Sequence, residues 1–95
     1  MVLRYVIAYD VPKNKVRARV AKLLEGEGYR VQGSVFECSL SATELEGLIR
    51  KLRLLLRQDS GADVRVYSLC RGCYSRSVGI GRLEEGAGGP RWKVF

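Results

Sequence analysis

The sequence Val-Leu-Arg-Tyr-Val-Ile-Ala-Tyr at residues 2–9, followed by Asp10, decides the fold of this chain. β-Branched and aromatic residues dominate the run, so it predicts a β-strand. Its side chains are largely apolar at both odd and even positions, and a strand of that kind needs cover on both faces. Asp10 ends the run, and Pro12 stops the strand and is suited to open a helix.

Two helices are predicted further along the chain. Apolar residues recur at helical spacing over 13–25, and Gly26 and Gly28 are expected to end this first helix. Residues 41–44 read Ser-Ala-Thr-Glu, a capping box that predicts the start of a second helix. Leucine and isoleucine continue this second helix at the same spacing as far as a turn at 59–61.

Further strands are predicted between and after the helices. Runs at 29–32 and 35–39 predict a hairpin around Gly33-Ser34, which suits a type II′ turn. A single bent strand through both runs is the alternative. Alternating residues at 63–69 predict another strand, and 77–80 predict a weaker one.

The resulting β-α-β-β-α-β order predicts an α+β fold, a ferredoxin-like sandwich with extra C-terminal strands. Two helices cover one sheet face, so the open face predicts a homodimer packed through the sheet faces. We expect one domain at 1–83 and a Gly-rich linker with a strand-like tail at 84–95. The tail at 91–95 is expected to add to a sheet edge, its own or the partner's.

Composition excludes several classes of protein. The 95 residues include no histidine, which excludes histidine-based catalytic triads and histidine-liganded zinc. No apolar run approaches the length of a membrane span, and the first residues lack the features of a signal peptide. A cytoplasmic protein without a membrane partner is therefore expected. Seventeen Lys and Arg against ten Asp and Glu give a net charge of +7, which favours an anionic partner.

Three cysteines form an odd set, and the expected cytoplasmic compartment keeps thiols reduced, so a disulfide framework is not expected. Cys70-Arg-Gly-Cys73 is a C-x-x-C motif, which is found in redox pairs and in zinc sites. A redox pair requires a helix start, and a zinc site requires four ligands. The interpretation favoured here is a turn between two strands.

Two carboxylates stand apart from those on helix surfaces and in turns. Asp10 terminates the first strand directly before a helix, and Glu37 lies inside a strand beside Phe36. Asp10 is the better candidate for chemistry because a strand end holds a side chain rigidly at the rim of a sheet. Mg²⁺ commonly binds one or two carboxylates and completes its shell with water and phosphate. The alternative is that Asp10 only caps the first helix or forms an Asx turn.

Basic residues on the first predicted helix favour contact with phosphate. Lys15, Arg17, Arg19 and Lys22 all lie on it and are predicted to bind nucleic acid. The sequence has no Gly-rich phosphate loop and no helix-turn-helix spacing, so recognition of a specific base sequence is not expected.

Three segments together resemble the family of CRISPR-associated protein 2. They are Tyr9-Asp10-Val11-Pro12, Arg17-x-Arg19, and the run Tyr-Arg-Val-Gln-Gly-Ser-Val-Phe-Glu at 29–37, in this order within residues 1 to about 80. The resemblance implies a ferredoxin-like homodimer in which Asp10 binds a divalent metal, typically Mg²⁺, with its counterpart across the dimer axis. It also implies roles in nuclease activity or substrate contact for Tyr9, Arg17, Arg19, Arg30 and Phe36.

The resemblance further implies a function in CRISPR spacer acquisition. It implies a metal-dependent endonuclease that hydrolyses single-stranded RNA or double-stranded DNA, and a partnership with the CRISPR integrase, CRISPR-associated protein 1. An alternative is a non-catalytic dimeric DNA-binding adaptor that bridges integrase dimers. A third hypothesis is a toxin-like ribonuclease with a related ferredoxin-like fold. Such a protein would not have the integrase as a partner.

Overall fold

In a computed structural model, the main body of the protein is a four-stranded antiparallel sheet with two helices. The structure describes residues 1–76, 78–79 and 93–94. The strands are β1 (Val2–Asp10), β2 (Gly28–Gln32), β3 (Val35–Ser41) and β4 (Asp63–Leu69), and the helices are α1 (Asn14–Glu25) and α2 (Ala42–Leu56). The sheet order is β2-β3-β1-β4. This order confirms the predicted ferredoxin-like βαββαβ class. Strands β2 and β3 form the predicted hairpin, so the alternative of one bent strand is wrong.

The core lies between one face of the sheet and the helices. Alternation along β1 buries Tyr5, Ile7 and Tyr9, and α1 contributes Val16 and Val20 at helical spacing. The even-numbered residues of β1 face the other way, toward the open face of the sheet, which lies opposite helices α1 and α2. Val2 on this open face is 53% exposed. The expectation that β1 is apolar on both sides is confirmed, and helices α1 and α2 cover one of these sides.

The capping box at the start of α2 is present as predicted. The Glu44 backbone N–H donates to Ser41 Oγ at 3.2 Å, and the Ser41 backbone N–H donates to Glu44 Oε1 at 2.8 Å. These bonds satisfy two donors that a helix start otherwise leaves without partners. Hydrogen bonding to the carboxylate also lowers the pKa of Glu44 below its ordinary value.

Two glycines shape the hairpin, in different ways. Gly33 has φ of +44° and is the residue with positive φ in the described part of the chain, which fits a type II′ turn with glycine at its first central position. Gly28 was expected to help end α1, but its role is close packing. It opposes Cys38 across the β2–β3 ladder, where a Cβ atom would overlap the Glu37 carbonyl oxygen and lie 2.6 Å from Cys38 Sγ.

The C-terminal part departs from the expectation at the C-x-x-C motif. The prediction of a simple turn is wrong, because Arg71–Ser75 forms a short helix, α3, directly after Cys70. Strands β5 (Val78–Gly79) and β6 (Lys93–Val94) pair in parallel in a second sheet. The tail strand therefore pairs, within the described ranges, with this chain's own β5 and not with the edge of the main sheet.

Residues 77, 80–92 and 95 lie outside the described residues. They include the linker, the boundary at residue 83 and both aromatic residues of the tail, Trp92 and Phe95, so the predictions made for these parts remain untested. Across the residues that are described, none of the helices has the length and apolar character needed to cross a membrane.

Candidate functional site

Two carboxylates meet at one end of the sheet. Asp10, the last residue of β1, is directly opposite Asp63, the first residue of β4, in the antiparallel register. Directly opposed residues project from the same face of a sheet. Tyr9 is buried under the helices, so Asp10 and Asp63 project from the open face, and both are exposed.

The alternative role for Asp10, capping α1, is wrong. The N-cap position of α1 is Lys13, and it has no side-chain cap of its own. Asp59, which follows α2 and is 5% exposed, supplies the carboxylate from a distant part of the chain. Its Oδ2 accepts from the Lys13 backbone N–H at 2.9 Å, and its Oδ1 accepts from the Gly61 backbone N–H at 3.1 Å. In the described part of the structure, Asp10 has neither a hydrogen bond nor an ion pair, so its carboxylate is available to a ligand.

An arginine-lined groove of about 460 Å³ lies on the helix side of the same end of β1. Its lining includes Tyr9, Arg17 and Arg30. Arg17 Nη1 donates to the Val11 carbonyl oxygen at 3.1 Å, and its Nη2 donates to Asn14 Oδ1. These bonds hold the Arg17 guanidinium over the loop that follows Asp10.

Arg30 is positioned by contacts on both sides of its guanidinium. It donates to the Gly33 carbonyl oxygen and to Glu25 Oε1, each at 3.0 Å. Its guanidinium carbon lies 5.1 Å from the centroid of the Phe36 ring, a cation–π distance. Phe36 is fully buried and stacks on Tyr9 with ring centroids 6.1 Å apart. Tyr9 and Phe36 therefore support the groove from beneath, whereas Arg17 and Arg30 present charge at its surface.

The other predicted basic residues lie outside the groove. Arg19 donates to Gln58 Oε1 at 3.1 Å, next to the loop that holds Asp59. Lys15 and Lys22 are exposed on α1. The structure thus brings together four of the predicted site residues, Tyr9, Arg17, Arg30 and Phe36. It places Asp10 on the opposite face of β1 and Arg19 beside α2.

Glu37, the second carboxylate singled out in the sequence, is structural. It is 1% exposed and lies between two partners, with Arg4 Nη1 at 3.4 Å from Oε1 and the Tyr29 hydroxyl donating to Oε2 at 3.4 Å. A buried carboxylate needs such partners to remain charged. These contacts link β1, β2 and β3 on the open face.

Sequence reasoning missed Asp63, which it placed only beside a turn. The signal that identifies it is register: once β1 and β4 pair, the two acidic residues at their ends oppose one another. In the described ranges, no three Cys, Asp or Glu side chains lie close enough to hold a metal ion. One chain therefore offers two carboxylates at most, and hard oxygen donors of this kind suit Mg²⁺ when water, phosphate or a second chain completes the shell.

The fold and this geometry define a class of small ferredoxin-like proteins that carry an acidic residue at the end of the first strand and an arginine-lined groove on the other face of that strand. The family model described as CRISPR associated protein Cas2 matches residues 1–77. The chain belongs to the Cas2 family.

Individual relatives and structures agree with this membership. The chain is 42% identical over 77 residues to CRISPR-associated endoribonuclease Cas2 1 of Chloroflexus aurantiacus, with 81% of this chain and 83% of the relative covered. It is 43% identical over 82 residues to CRISPR-associated endonuclease Cas2 2 of Thermus thermophilus, with 85% and 87% covered. A chain in the solved structure of a partial Cas6-RT-Cas1–Cas2 complex superposes with a TM-score of 0.72 at 33% identity, covering 81% of this chain and 89% of that one.

Proposed function

We propose that this protein is a metal-dependent endonuclease of a CRISPR system that hydrolyses phosphodiester bonds in single-stranded RNA or double-stranded DNA. The observation that carries the proposal is the opposed pair Asp10 and Asp63 at the open end of the sheet. Relatives named endoribonuclease and endonuclease support the reaction class.

The carboxylate pair fits a divalent metal. Like charges directly opposite one another across a ladder destabilise a sheet, and binding of a cation by these residues would reduce that cost. Asp10 and Asp63 would hold Mg²⁺, which when bound supplies charge neutralisation at a phosphate. The chain's own contribution is to fix these oxygens on adjacent strands and to keep Asp10 clear of other partners.

The arginines orient the substrate. Arg17 and Arg30 are held by hydrogen bonds to main-chain carbonyl oxygens, so their guanidinium groups are pre-positioned for phosphate oxygens. The groove and the carboxylates lie at the same end of β1, on its two faces. A nucleic-acid backbone that crosses this end of the sheet contacts both.

A homodimer is part of the proposal. The open face exposes Val2 on β1 and Tyr67 on β4, which are 53% and 51% exposed, and Val6 lies beside Tyr67 in register. A second copy packed on this face covers these apolar side chains and brings a second Asp10 to the assembly.

A second candidate is the non-catalytic adaptor that binds duplex DNA and docks to the integrase. Two observations favour it: main-chain carbonyl oxygens of this chain hold Arg17 and Arg30 at the groove, and a related chain occurs in a Cas1–Cas2 complex. Backbone binding by arginines weakens steeply with salt and does not require a divalent ion.

The deciding experiment compares the wild type with Asp10→Asn and Asp63→Asn on labelled RNA and duplex DNA, with Mg²⁺ or with EDTA. The nuclease proposal expects cleavage by the wild type in Mg²⁺ only, and at least about a hundredfold loss in Asp10→Asn. Circular dichroism and sedimentation check that each variant stays folded and dimeric. Wild-type cleavage in EDTA, or full activity of Asp10→Asn, refutes the metal site. Duplex binding that is salt-sensitive and unaffected by EDTA, without cleavage, assigns the adaptor role.

A further inference from the structure

Two cysteines at the start of α3 take no part in the proposed nuclease. Cys70 directly precedes the helix and Cys73 lies within it, three residues later. Both are exposed, and both are thiols. The backbone N–H of Cys73 donates to Cys70 Sγ at 3.1 Å, so the two residues share one tight turn. Residues three apart in such a turn have Cα atoms within about 7 Å, which a disulfide can bridge.

The surroundings of this turn make the two sulfurs unequal. Hydrogen bonds from the thiol and the backbone N–H of Cys73 lower the pKa of the Cys70 thiol below its ordinary value of 9.0. The same interaction raises the pKa of Cys73, which keeps its proton while Cys70 is a thiolate. Arg76 adds positive charge, with Nη2 3.9 Å from Cys73 Sγ. One nucleophilic and one protonated thiol within a turn are the arrangement that thiol–disulfide exchange requires.

We propose that Cys70 and Cys73 form a thiol–disulfide exchange site, with Cys70 as the attacking thiolate, Cys73 as the resolving thiol, and a small-molecule disulfide such as oxidised glutathione as the oxidant. The proposal rests on the position of both cysteines in one exposed turn and on the hydrogen bond between them. It is independent of the nuclease.

The exchange balances in two steps. Cys70 attacks one sulfur of oxidised glutathione, the glutathione S–S bond breaks, and one glutathione thiolate leaves. Cys73 then loses its proton and attacks the Cys70 sulfur of the mixed disulfide, expelling the second glutathione thiolate. The protein loses two electrons and gains an intramolecular S–S bond, while the oxidised glutathione gains the two electrons.

The third cysteine is an internal control. Cys38 is 1% exposed in the core, and burial, with the nearby carboxylates of Glu27 and Glu37, raises its pKa to about 11. It therefore has almost no thiolate at neutral pH and no access to a reagent.

The exchange site lies far from the candidate metal site. Cys70 follows Leu69, which pairs with Arg4 near the start of β1, whereas Asp63 pairs with Asp10 at its other end. Arg4 and Asp10 are six residue steps apart, which is about 20 Å along β1. Oxidation is therefore expected to leave the Asp10 end of the sheet unchanged.

The test treats the reduced full-length protein with oxidised glutathione at pH 7, quenches with acid, and follows the intact mass. We expect the wild type to form the internal disulfide, with Cys38 still a thiol, and Cys73→Ser to accumulate one bound glutathione on Cys70. Cys70→Ser, the matched control, is expected to react more slowly than Cys73→Ser, because in Cys73→Ser the backbone N–H of residue 73 still donates to the Cys70 sulfur and favours its thiolate.

Three outcomes overturn the proposal. The first is equal reaction rates for Cys70→Ser and Cys73→Ser. The second is a wild type that stops at the mixed disulfide or forms only disulfide-linked pairs of chains. The third is tight binding of Zn²⁺ by the reduced wild type that blocks the exchange until EDTA is added, which assigns the pair to a metal instead.

Discussion

Asp10 and Asp63 oppose one another at the end of the β1–β4 ladder, on the sheet face opposite helices α1 and α2. Each is exposed, and the next pair along the ladder is Ala8 with Arg65. A like-charged pair in this position opposes folding and attracts a cation. The relationship links the stability of the sheet to the ligand that the site binds.

We therefore expect Asp63→Asn to stabilise the metal-free protein. Removing one of two opposed charges should raise the free energy of unfolding in EDTA by about 0.5 kcal/mol. Urea denaturation in EDTA and in Mg²⁺ measures this gain, which should shrink when Mg²⁺ is present. A variant that is less stable than the wild type in EDTA would contradict the repulsion.

Asp59→Ala is expected to destabilise the protein by about 1–2 kcal/mol, because the backbone N–H groups of Lys13 and Gly61 lose their acceptor. Denaturant unfolding measures the loss. Ser60→Ala, at an exposed neighbouring position, is the matched control and should change little. Equal stability of the two variants would show that α1 does not depend on this cap.

Two glycine-to-alanine substitutions should have opposite effects. Gly28→Ala places a methyl group against Glu37 and Cys38 and should cost about 1–3 kcal/mol. Gly47→Ala lies in α2 with open space around its Cβ, and should stabilise by about 0.5–1 kcal/mol through helix propensity. Thermal unfolding of both variants measures these changes in stability. A Gly28→Ala variant more stable than the wild type would refute the close approach of β2 to β3.

Arg30→Ala should weaken binding of duplex DNA and lower the slope of log affinity against log salt by about one. Arg30→Lys should restore only part of the affinity, because a lysine lacks the planar group that lies over Phe36. Fluorescence anisotropy over a salt series measures both. Lys51→Ala, exposed on α2, is the control, and an equal loss in that variant would show that the groove has no special role.

Glu44 makes a pH-dependent contribution to the free energy of unfolding. Its folded pKa lies below the ordinary value of 4.5, so its contribution to stability is present above that pH and is lost as pH falls through the folded pKa. The stability difference between the wild type and Glu44→Gln should therefore be constant near neutral pH and should shrink in acid. Urea unfolding at several pH values tests this, and a difference that grows in acid contradicts the capping box.

Local patterns in the sequence predicted most of the fold. Alternation over residues 2–9 and the Ser41–Glu44 box identify β1 and the start of α2, because strand periodicity and helix caps depend on neighbouring residues. The C-x-x-C motif was misjudged because its residues carry no strong helix signal, and α3 is only one turn long. Gly28 was predicted to end α1, but the requirement for glycine at this position comes from the close approach of strand β3, which the local sequence does not show.

The sequence by itself determined the element order, the strand-end acid Asp10 and the basic character of α1. Only the tertiary structure decided that Asp63 opposes Asp10, that Asp59 caps α1, and that Glu37 is buried between partners. It also separated Asp10 from the groove of Arg17 and Arg30, on opposite faces of β1. The reason is physical: periodicity and capping act over a few neighbouring residues, whereas these contacts depend on strand register and on chain segments far apart in sequence.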